Sequence, residues 1–506
     1  GLGDVYKRQA MGMGGIAVPI FAYYQGEMAY KLIEFSDAHF LSIHGKYQHE
    51  QLSQYYNRLN LSAVICLKEE LQPLPDGLIS FNELMGNHED SNEEHLNFSV
   101  KPDEICLNMF TSGTMGLPKC VQLTHKNIIS QQVAMSQIWD IGPEDRILGY
   151  LPWHHSFGGI YVIFAVLYNG ASYWEEPSHG KELMSIIESW KVVKPTVFFS
   201  VPRIHKALVE YAIANPSFEK ELFHRDLKFV FTAAAPLPSN IAEEYLKRGV
   251  RIMEGWGLTE TSPCCTVSWF EKNKEQGIVG FPIPGVSIRI NEEGEIEVKG
   301  PNVMPGYYKN DDANKKAFTE DGWFKTGDIG EITPSGLKII GRKDRVFKLL
   351  NGEKVLPPET EKLIEGRCPY VSYSLVVGSS REYPISLIFI NRNLFELKRE
   401  NKPFLQNCRL PSTLNEFIDC FPACIKDVLK LIKEKYARVK VAVIINEELS
   451  IADGSLTSSF KISPVTTEKK YSDVIDAVYR GVKFIREGIY IIPLEEQGEK
   501  VGAKQE

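Results

Sequence analysis

The sequence predicts an α/β protein: a large N-terminal domain of parallel α/β subdomains with an added β region, then a small α+β C-terminal domain. Three observations predict it. The 506 residues exceed what one hydrophobic core holds, so two or more domains are expected. Residues 10 to about 340 alternate short apolar runs with amphipathic stretches, the pattern of a largely parallel sheet. Beyond Gly341 a few strand-like runs gather around one long two-faced helix, which suits a small domain with its own core.

The elements follow in order. The chain opens Gly-Leu-Gly-Asp-Val-Tyr-Lys-Arg-Gln without an initiator Met, and residues 1–9 read as a non-native end outside the fold. The apolar run from Ile16 to Tyr24, interrupted by Pro19, reads as a core strand. Leu183, Ile186, Ile187 and Trp190 share one helical face, and Thr196–Ser200 follows as a buried strand. Ile204, Leu208 and Tyr211 again fall at helical spacing, and Leu227–Phe231 reads as a strand. Ser239 offers an N-cap and Gly249 a stop for the helix between them. Ser287-Ile-Arg-Ile and Glu295-Ile-Glu-Val alternate polar and apolar residues about Glu293-Gly294, a hairpin signal. In the last third, Ser374–Val377, Ile385–Ile390 and Val439–Ile445 read as strands. Leu414, Phe417, Ile418 and Phe421 form a helical face that continues through Ile425, Val428, Leu429 and Ile432 past Pro422.

Composition excludes several classes. A net charge of -8 argues against a nucleic-acid binder, whose footprint is basic. No stretch approaches the roughly 20 apolar residues that span a bilayer. The nine cysteines are scattered and lack metal-ligand spacing, which suits reduced thiols and a cytoplasmic location.

The chemistry begins at Phe110-Thr111-Ser112-Gly113-Thr114-Met115-Gly116-Leu117-Pro118-Lys119. Its glycines let the backbone approach an anion, its hydroxyls and N–H groups donate to phosphate oxygens, and Lys119 adds a positive charge. The spacing is not that of a Walker loop. Pro152-Trp153-His154-His155-Ser156-Phe157-Gly158 follows, then Thr232-Ala-Ala-Ala235-Pro236-Leu237 and Glu254-Gly255-Trp256-Gly257-Leu258-Thr259-Glu260-Thr261. Gly322-Trp323-Phe324-Lys325-Thr326-Gly327-Asp328, Gly341-Arg342-Lys343-Asp344-Arg345 and Gly454-Ser455-Leu456-Thr457-Ser458-Ser459-Phe460-Lys461 complete the series. Singly, several would pass for ordinary turns or solvated helix starts.

In this order they resemble the signatures of the adenylate-forming superfamily: acyl-CoA synthetases, firefly-type luciferases and adenylation domains. The resemblance covers about residues 14 to 480. It implies an AMP-binding large domain over 10–341, with sequence missing upstream of Met11 and apolar surface exposed there. It further implies a small, mobile domain over 342–506. Thr111, Ser112, Gly113, Thr114, Gly116 and Lys119 would hold the ATP phosphates, and Ala234 would line the nucleotide pocket. Trp256 and Gly257 would take adenine and Thr259 the α-phosphate. Thr111 and Glu260 would serve Mg2+, Asp328 would clamp the ribose, and Arg342 would contact ATP beside the hinge residue Asp344. His155 would stand near the acyl carboxylate, with His154 a neighbour. Lys461, with Lys119, His155 and Arg342, would form the catalytic set. Phe347-Lys-Leu-Leu-Asn-Gly-Glu353 is similar to long-chain fatty acyl-CoA synthetases. Ser458 and Pro464 depart from the pattern around the lysine, and Ala replaces Gly in the 232–237 turn.

The implied reaction is ATP-dependent activation of a carboxylic acid, a long-chain fatty acid on the Asn-Gly-Glu evidence, to acyl-AMP and then acyl-CoA. ATP, Mg2+ and CoA are its cofactors and co-substrates; no nucleic acid and no obligate protein partner are expected. An amphiphilic product is compatible with peripheral membrane association. Two rivals stay open: an acyl-AMP ligase that loads a carrier protein, and an AMP-binding scaffold without turnover. An amino acid adenylation domain fits less well, because Gly158-Gly159-Ile160 offers no Asp for a substrate ammonium. Trp153, Phe157, Tyr161 and Phe164 suit either an acyl pocket or the core.

Overall fold

The computed structural model describes residue 7 and residues 9–68, 73–86, 99–111, 118–235, 237–271, 275, 277–396, 410–450, 453–457 and 461–494. The chain divides into a large unit, Gly1–Thr326 with Ile332–Lys338, and a small one, Gly327–Glu331 with Ile339–Glu506.

The large unit opens on a parallel sheet of β1 (Phe40–Ile43), β2 (Ala63–Cys66) and β3 (Leu78–Ser80). The antiparallel pair β4 (Ile105–Thr111) and β5 (Lys119–Thr124) follows. Next come β6 (Arg146–Gly149), β7 (Ser172–Glu175), β8 (Val197–Ser200), β9 (Phe229–Thr232) and β10 (Arg251–Trp256), paired in parallel in the order β7-β6-β8-β9-β10. All residues of β8 and β9 are buried, as expected for strands with helices over both faces. The helix Leu183–Val193 turns Ile186, Ile187 and Trp190 inward, and Pro202–Ala214 buries Ile204 and Leu208.

After β10 the sheet changes character. β11 (Thr266–Trp269) and β12 (Ile278–Pro282) join it antiparallel. The predicted hairpin is present as β13 (Ser287–Ile290) and β14 (Glu295–Lys299). Its turn uses Gly294 at φ 80° and the Asn291 side chain, which accepts from the N–H groups of Glu293 and Glu295. A two-residue strand β15 (Gly306–Tyr307) pairs with β5. The chain then passes between the units within β16 (Phe324–Thr333) and β17 (Gly336–Arg342).

Two expectations are corrected. Ile16–Tyr24 is not a strand: only Ala17 pairs, its N–H donating to the Cys106 carbonyl and its carbonyl accepting from Asn108, 2.9 Å each. Pro19 lacks the N–H that would extend the ladder. The helix after β9 spans Ser239–Lys247 with Pro238 at the N-cap, so Ser239 is its first residue.

The small unit holds the short hairpin β18 (Phe347–Lys348) and β19 (Lys354–Val355), turned at Gly352 with φ 87°. Its sheet runs β20 (Val371–Val377), β21 (Ile385–Ile390), β22 (Val441–Ile445) and β23 (Ile489–Pro493). The helix Leu414–Lys430 runs through Pro422 and buries Phe417, Phe421 and Ile425 among Tyr370, Ile388 and Ile444. No helix of the described residues is long and apolar enough to cross a membrane.

Candidate active site

Three of the predicted segments leave the carboxyl ends of parallel strands. His155 follows β6, Ala234 follows β9, and Trp256 to Glu260 close and follow β10. Open α/β sheets bind ligands outside such ends. The adjacent β10–β11 step, where pairing turns antiparallel, marks the same edge.

Thr111 and Lys119 face each other across the neck of the β4–β5 hairpin, where the Thr111 hydroxyl donates to the Lys119 carbonyl at 3.4 Å. Ser112, Gly113, Thr114 and Gly116, which lie between them, fall outside the described residues. Lys119 is exposed, and its ammonium stands 4.8 Å from the centre of the Tyr307 ring. The Tyr307 hydroxyl donates to Glu260 Oε1 at 2.9 Å. Glu260 is only 9% exposed, and its carbonyl accepts from Met304 N–H at 2.8 Å. The Thr259 hydroxyl meets Ser156 Oγ at 3.1 Å, tying the β10 loop to the His155 segment.

Backbone geometry fixes these loops. A β-carbon at Gly257 would lie 1.8 Å from the Pro263 carbonyl oxygen, so only glycine lets the chain fold back there. Ala234 adopts φ 74°, a left-handed conformation that a side chain makes costly and that clusters at functional turns. Residues Phe157–Val162 form a short π-helix, a feature frequent at functional sites. Gly158 and Gly159 admit no side chain: their β-carbons would lie 2.6 and 1.9 Å from the Leu151 and Trp153 carbonyl oxygens.

The two histidines differ. His155 Nδ1 accepts the Phe157 N–H at 3.2 Å, so in the neutral ring Nε2 carries the proton. His154 packs on Phe21, 4.9 Å between ring centres, and burial pushes its pKa down to about 4. Of the four aromatic residues open to two readings, Phe157 and Tyr161 are core, packed on Phe231. Phe164 packs against a second cluster with Leu107 and Ile160, and Trp153 donates its indole N–H to the Tyr173 hydroxyl.

The small unit holds a group of its own. Arg342 Nη1 donates to Asp328 Oδ1 at 3.2 Å, and Arg342 Nε lies 3.5 Å from Asp344. Asp328 is buried, and Gly327, with φ 71°, leaves room for the guanidinium 3.1 Å from where a β-carbon would be. Lys461 sits at the neck of a tight loop: its N–H donates to the Thr457 hydroxyl, and its carbonyl accepts from Thr457 N–H at 2.8 Å. The Lys461 side chain keeps exposed surface, while crowding around the ammonium lowers its pKa; Asp328 raises it and Arg342 lowers it further. Pro464 opens the helix Pro464–Lys470 at its first position, which accounts for one departure from the expected pattern. Ser458 lies outside the described residues.

Tyr307, Ser156 and Asn302 were not singled out by the sequence. Asn302 donates to the carbonyls of Thr261 and Cys264 at 2.9 and 3.1 Å and so holds the loop that carries Glu260.

Comparison with known proteins fits this arrangement. The AMP-binding enzyme family model matches residues 10–308, and the model of the AMP-binding enzyme C-terminal domain matches 344–483. The chain belongs to the AMP-binding enzyme family. Among its relatives is the peroxisomal long chain acyl-CoA synthetase 6 of Arabidopsis thaliana, 27% identical over 82% of this chain and 66% of the relative. A long-chain-fatty-acid–CoA ligase of Xenopus laevis is 24% identical over 92% of this chain and 73% of its own. The chain thus spans about two thirds of the length of such relatives. In fold it is similar to ATP-bound MatB from Rhodopseudomonas palustris, with TM-score 0.72 and 20% identity over 93% of this chain and 87% of that one. The o-succinylbenzoate CoA synthetase of Bacillus subtilis in complex with ATP and magnesium ion gives TM-score 0.70 at 20% identity, over 91% and 86%. The fold is shared with these solved structures.

Proposed function

We propose that the protein activates a carboxylic acid with ATP and passes the acyl group to CoA, and that the acid is a long-chain fatty acid. The observation that carries the reading is that Tyr307 joins Lys119, at the start of β5, to Glu260, which follows Thr259 past the carboxyl end of β10. A cation, a hydroxyl and a carboxylate at one edge suit a nucleotide triphosphate with its metal.

In the first step a carboxylate oxygen of the acid attacks the α-phosphorus. The bond from that phosphorus to the bridging oxygen breaks, and pyrophosphate leaves with its electron pair. Lys119 and the loop before it hold the phosphates, Thr259 bonds the α-phosphate, and Lys461 offsets the charge that grows there. His155 orients the acid through its Nε2–H. Asp328 accepts from the ribose hydroxyls, and Arg342 holds Asp328 in place.

The donor set at Glu260 fits Mg2+. The carboxylate is hard, and one hydrogen bond from Tyr307 leaves acceptor capacity for a cation. Bound there, Mg2+ would neutralise phosphate charge. In the second step the CoA thiolate attacks the acyl carbonyl, a thioester forms, and AMP departs with the electrons of the acyl–phosphate bond.

The test is pyrophosphate release from ATP and Mg2+ with a ladder of acids, with and without CoA. Long-chain acids should give pyrophosphate and acyl-CoA, and Lys461→Ala should slow adenylation at least about a hundredfold. Adenylate without thioester would redirect the reading to carrier loading. No turnover with any acid would refute it.

A further inference from the structure

Segment 301–308 carries no motif noted in the sequence, yet it touches both the loop that carries Glu260 and the strand that begins at Lys119. Asn127 donates to the carbonyls of Pro301 and Val303, at 2.8 and 2.9 Å. Asn302 and Met304 fasten the loop from Thr261 to Cys264 and the Glu260 backbone. Tyr308 N–H then donates to the Cys120 carbonyl at 2.8 Å, one residue beyond Lys119.

Tyr307 is the centre of this strap. It is 5% exposed, and β15 places it opposite Val121 of β5. Asn314 locks its backbone from both sides: Oδ1 accepts the Tyr307 N–H at 2.6 Å and Nδ2 donates to its carbonyl at 3.0 Å. A β-carbon at Gly306 would lie 2.9 Å from the same Asn314 oxygen, so the preceding glycine permits the clamp. With its backbone fixed twice, the ring can point one end at each of two charged groups. Its face stands 4.8 Å from the Lys119 ammonium, and its hydroxyl bonds Glu260 Oε1 at 2.9 Å.

We infer that Tyr307 is a positioning residue that holds the Glu260 carboxylate and the Lys119 ammonium at a fixed separation, so that one metal–nucleotide complex engages both. The inference rests on the reading of Glu260 and Lys119 given under Proposed function. Opposite charges left untethered would drift together and pair, removing both from the ligand. The ring lies between them as a spacer, and its two polar features match the two charges: an electron-rich face for the cation and an O–H for the anion. Partners of this kind orient first-contact ligands, and their loss costs about 10–100-fold in metal affinity.

The experiment uses the full chain with Tyr307→Phe, and Tyr308→Phe as its comparison. Tyr308 donates its hydroxyl to Asp37 at an exposed position and lies outside the site. Binding of the Mn2+–ATP complex is followed by electron paramagnetic resonance, alongside ligand-free melting and the Mg2+ dependence of pyrophosphate release. Y307F should weaken Mn2+–ATP binding about tenfold or more and raise the Mg2+ needed for half-maximal rate, with the KM for the acid unchanged. Y308F should leave all three as in the wild type. In a Glu260→Ala background, Y307F should cost nothing further, because the group it acts through is gone. Wild-type Mn2+–ATP affinity in a folded Y307F protein would overturn the inference. Should Y307F melt low, E260Q alone takes its place: its amide still accepts the Tyr307 hydroxyl, and unchanged Mn2+–ATP binding there would equally overturn it. Binding needs no turnover, so failure of the acid-activation reading would appear separately, as absent pyrophosphate with intact nucleotide affinity.

Discussion

Single atoms decide the loops at the carboxyl edge of the parallel sheet, where we propose the nucleotide binds. A methyl group at Gly257 would have to displace the Pro263 carbonyl, which is backbone and cannot swing aside. Gly257→Ala should therefore lower stability by about 1–3 kcal/mol and weaken ATP binding, measured by denaturant unfolding and nucleotide titration. A folded variant with wild-type affinity would show that the loop has room to move. At this scale the sequence was most legible where the residue type is itself the chemistry. Lys119, Thr259, Glu260 and Asp328 could be read as cation, hydroxyl and carboxylates. Tyr307 could not, because a tyrosine after a glycine reads as an ordinary strand aromatic. The role proposed for it arises from a bond to Glu260, 47 residues away, that strand pairing brings about.

Among the elements, two helices bury titratable groups with opposite consequences for pH. On Pro202–Ala214, His205 is fully buried; Nδ1 lies 3.1 Å from the Tyr245 hydroxyl and Nε2 lies 3.2 Å from the Phe231 carbonyl. Burial depresses its pKa to about 4, against an unfolded value near 6.5. Its neutral form is the folded form, so this contribution is whole above pH 6.5 and is lost as pH falls toward 4, up to about 3 kcal/mol. Urea unfolding of the wild type should show that decline, and His205→Gln should flatten it. On Pro357–Arg367, burial raises Glu365 to about 7, although Ser374 N–H donates to its Oε1 at 2.7 Å. Here stability is whole below about pH 4.5 and is lost as pH rises through 7. Hydrogen exchange in β20 should quicken between pH 5 and 8 beyond its intrinsic rise, and less so in Glu365→Gln. Element boundaries were legible where burial is one-sided, as in Leu183–Val193, whose inward face matched its apolar spacing. Ile16–Tyr24 misled because an apolar run specifies burial without specifying a ladder, and Pro19 removes a donor.

For the whole molecule, the alternation of runs conveyed the architecture: parallel β6 to β10, an antiparallel extension, and a separate small unit with its own sheet. The passage between units was less legible. It runs through the neighbouring strands β16 and β17, which no predicted element covers, and no change of composition marks where contacts divide. The central claim is that a carboxylate oxygen attacks the α-phosphorus of ATP. It is tested most directly by supplying a long-chain acid labelled with oxygen-18 in its carboxylate, with CoA, and weighing the AMP by mass spectrometry. The account predicts AMP carrying one heavy oxygen and acyl-CoA retaining the other. Unlabelled AMP, or heavy oxygen appearing in phosphate with ADP as the product, would contradict it.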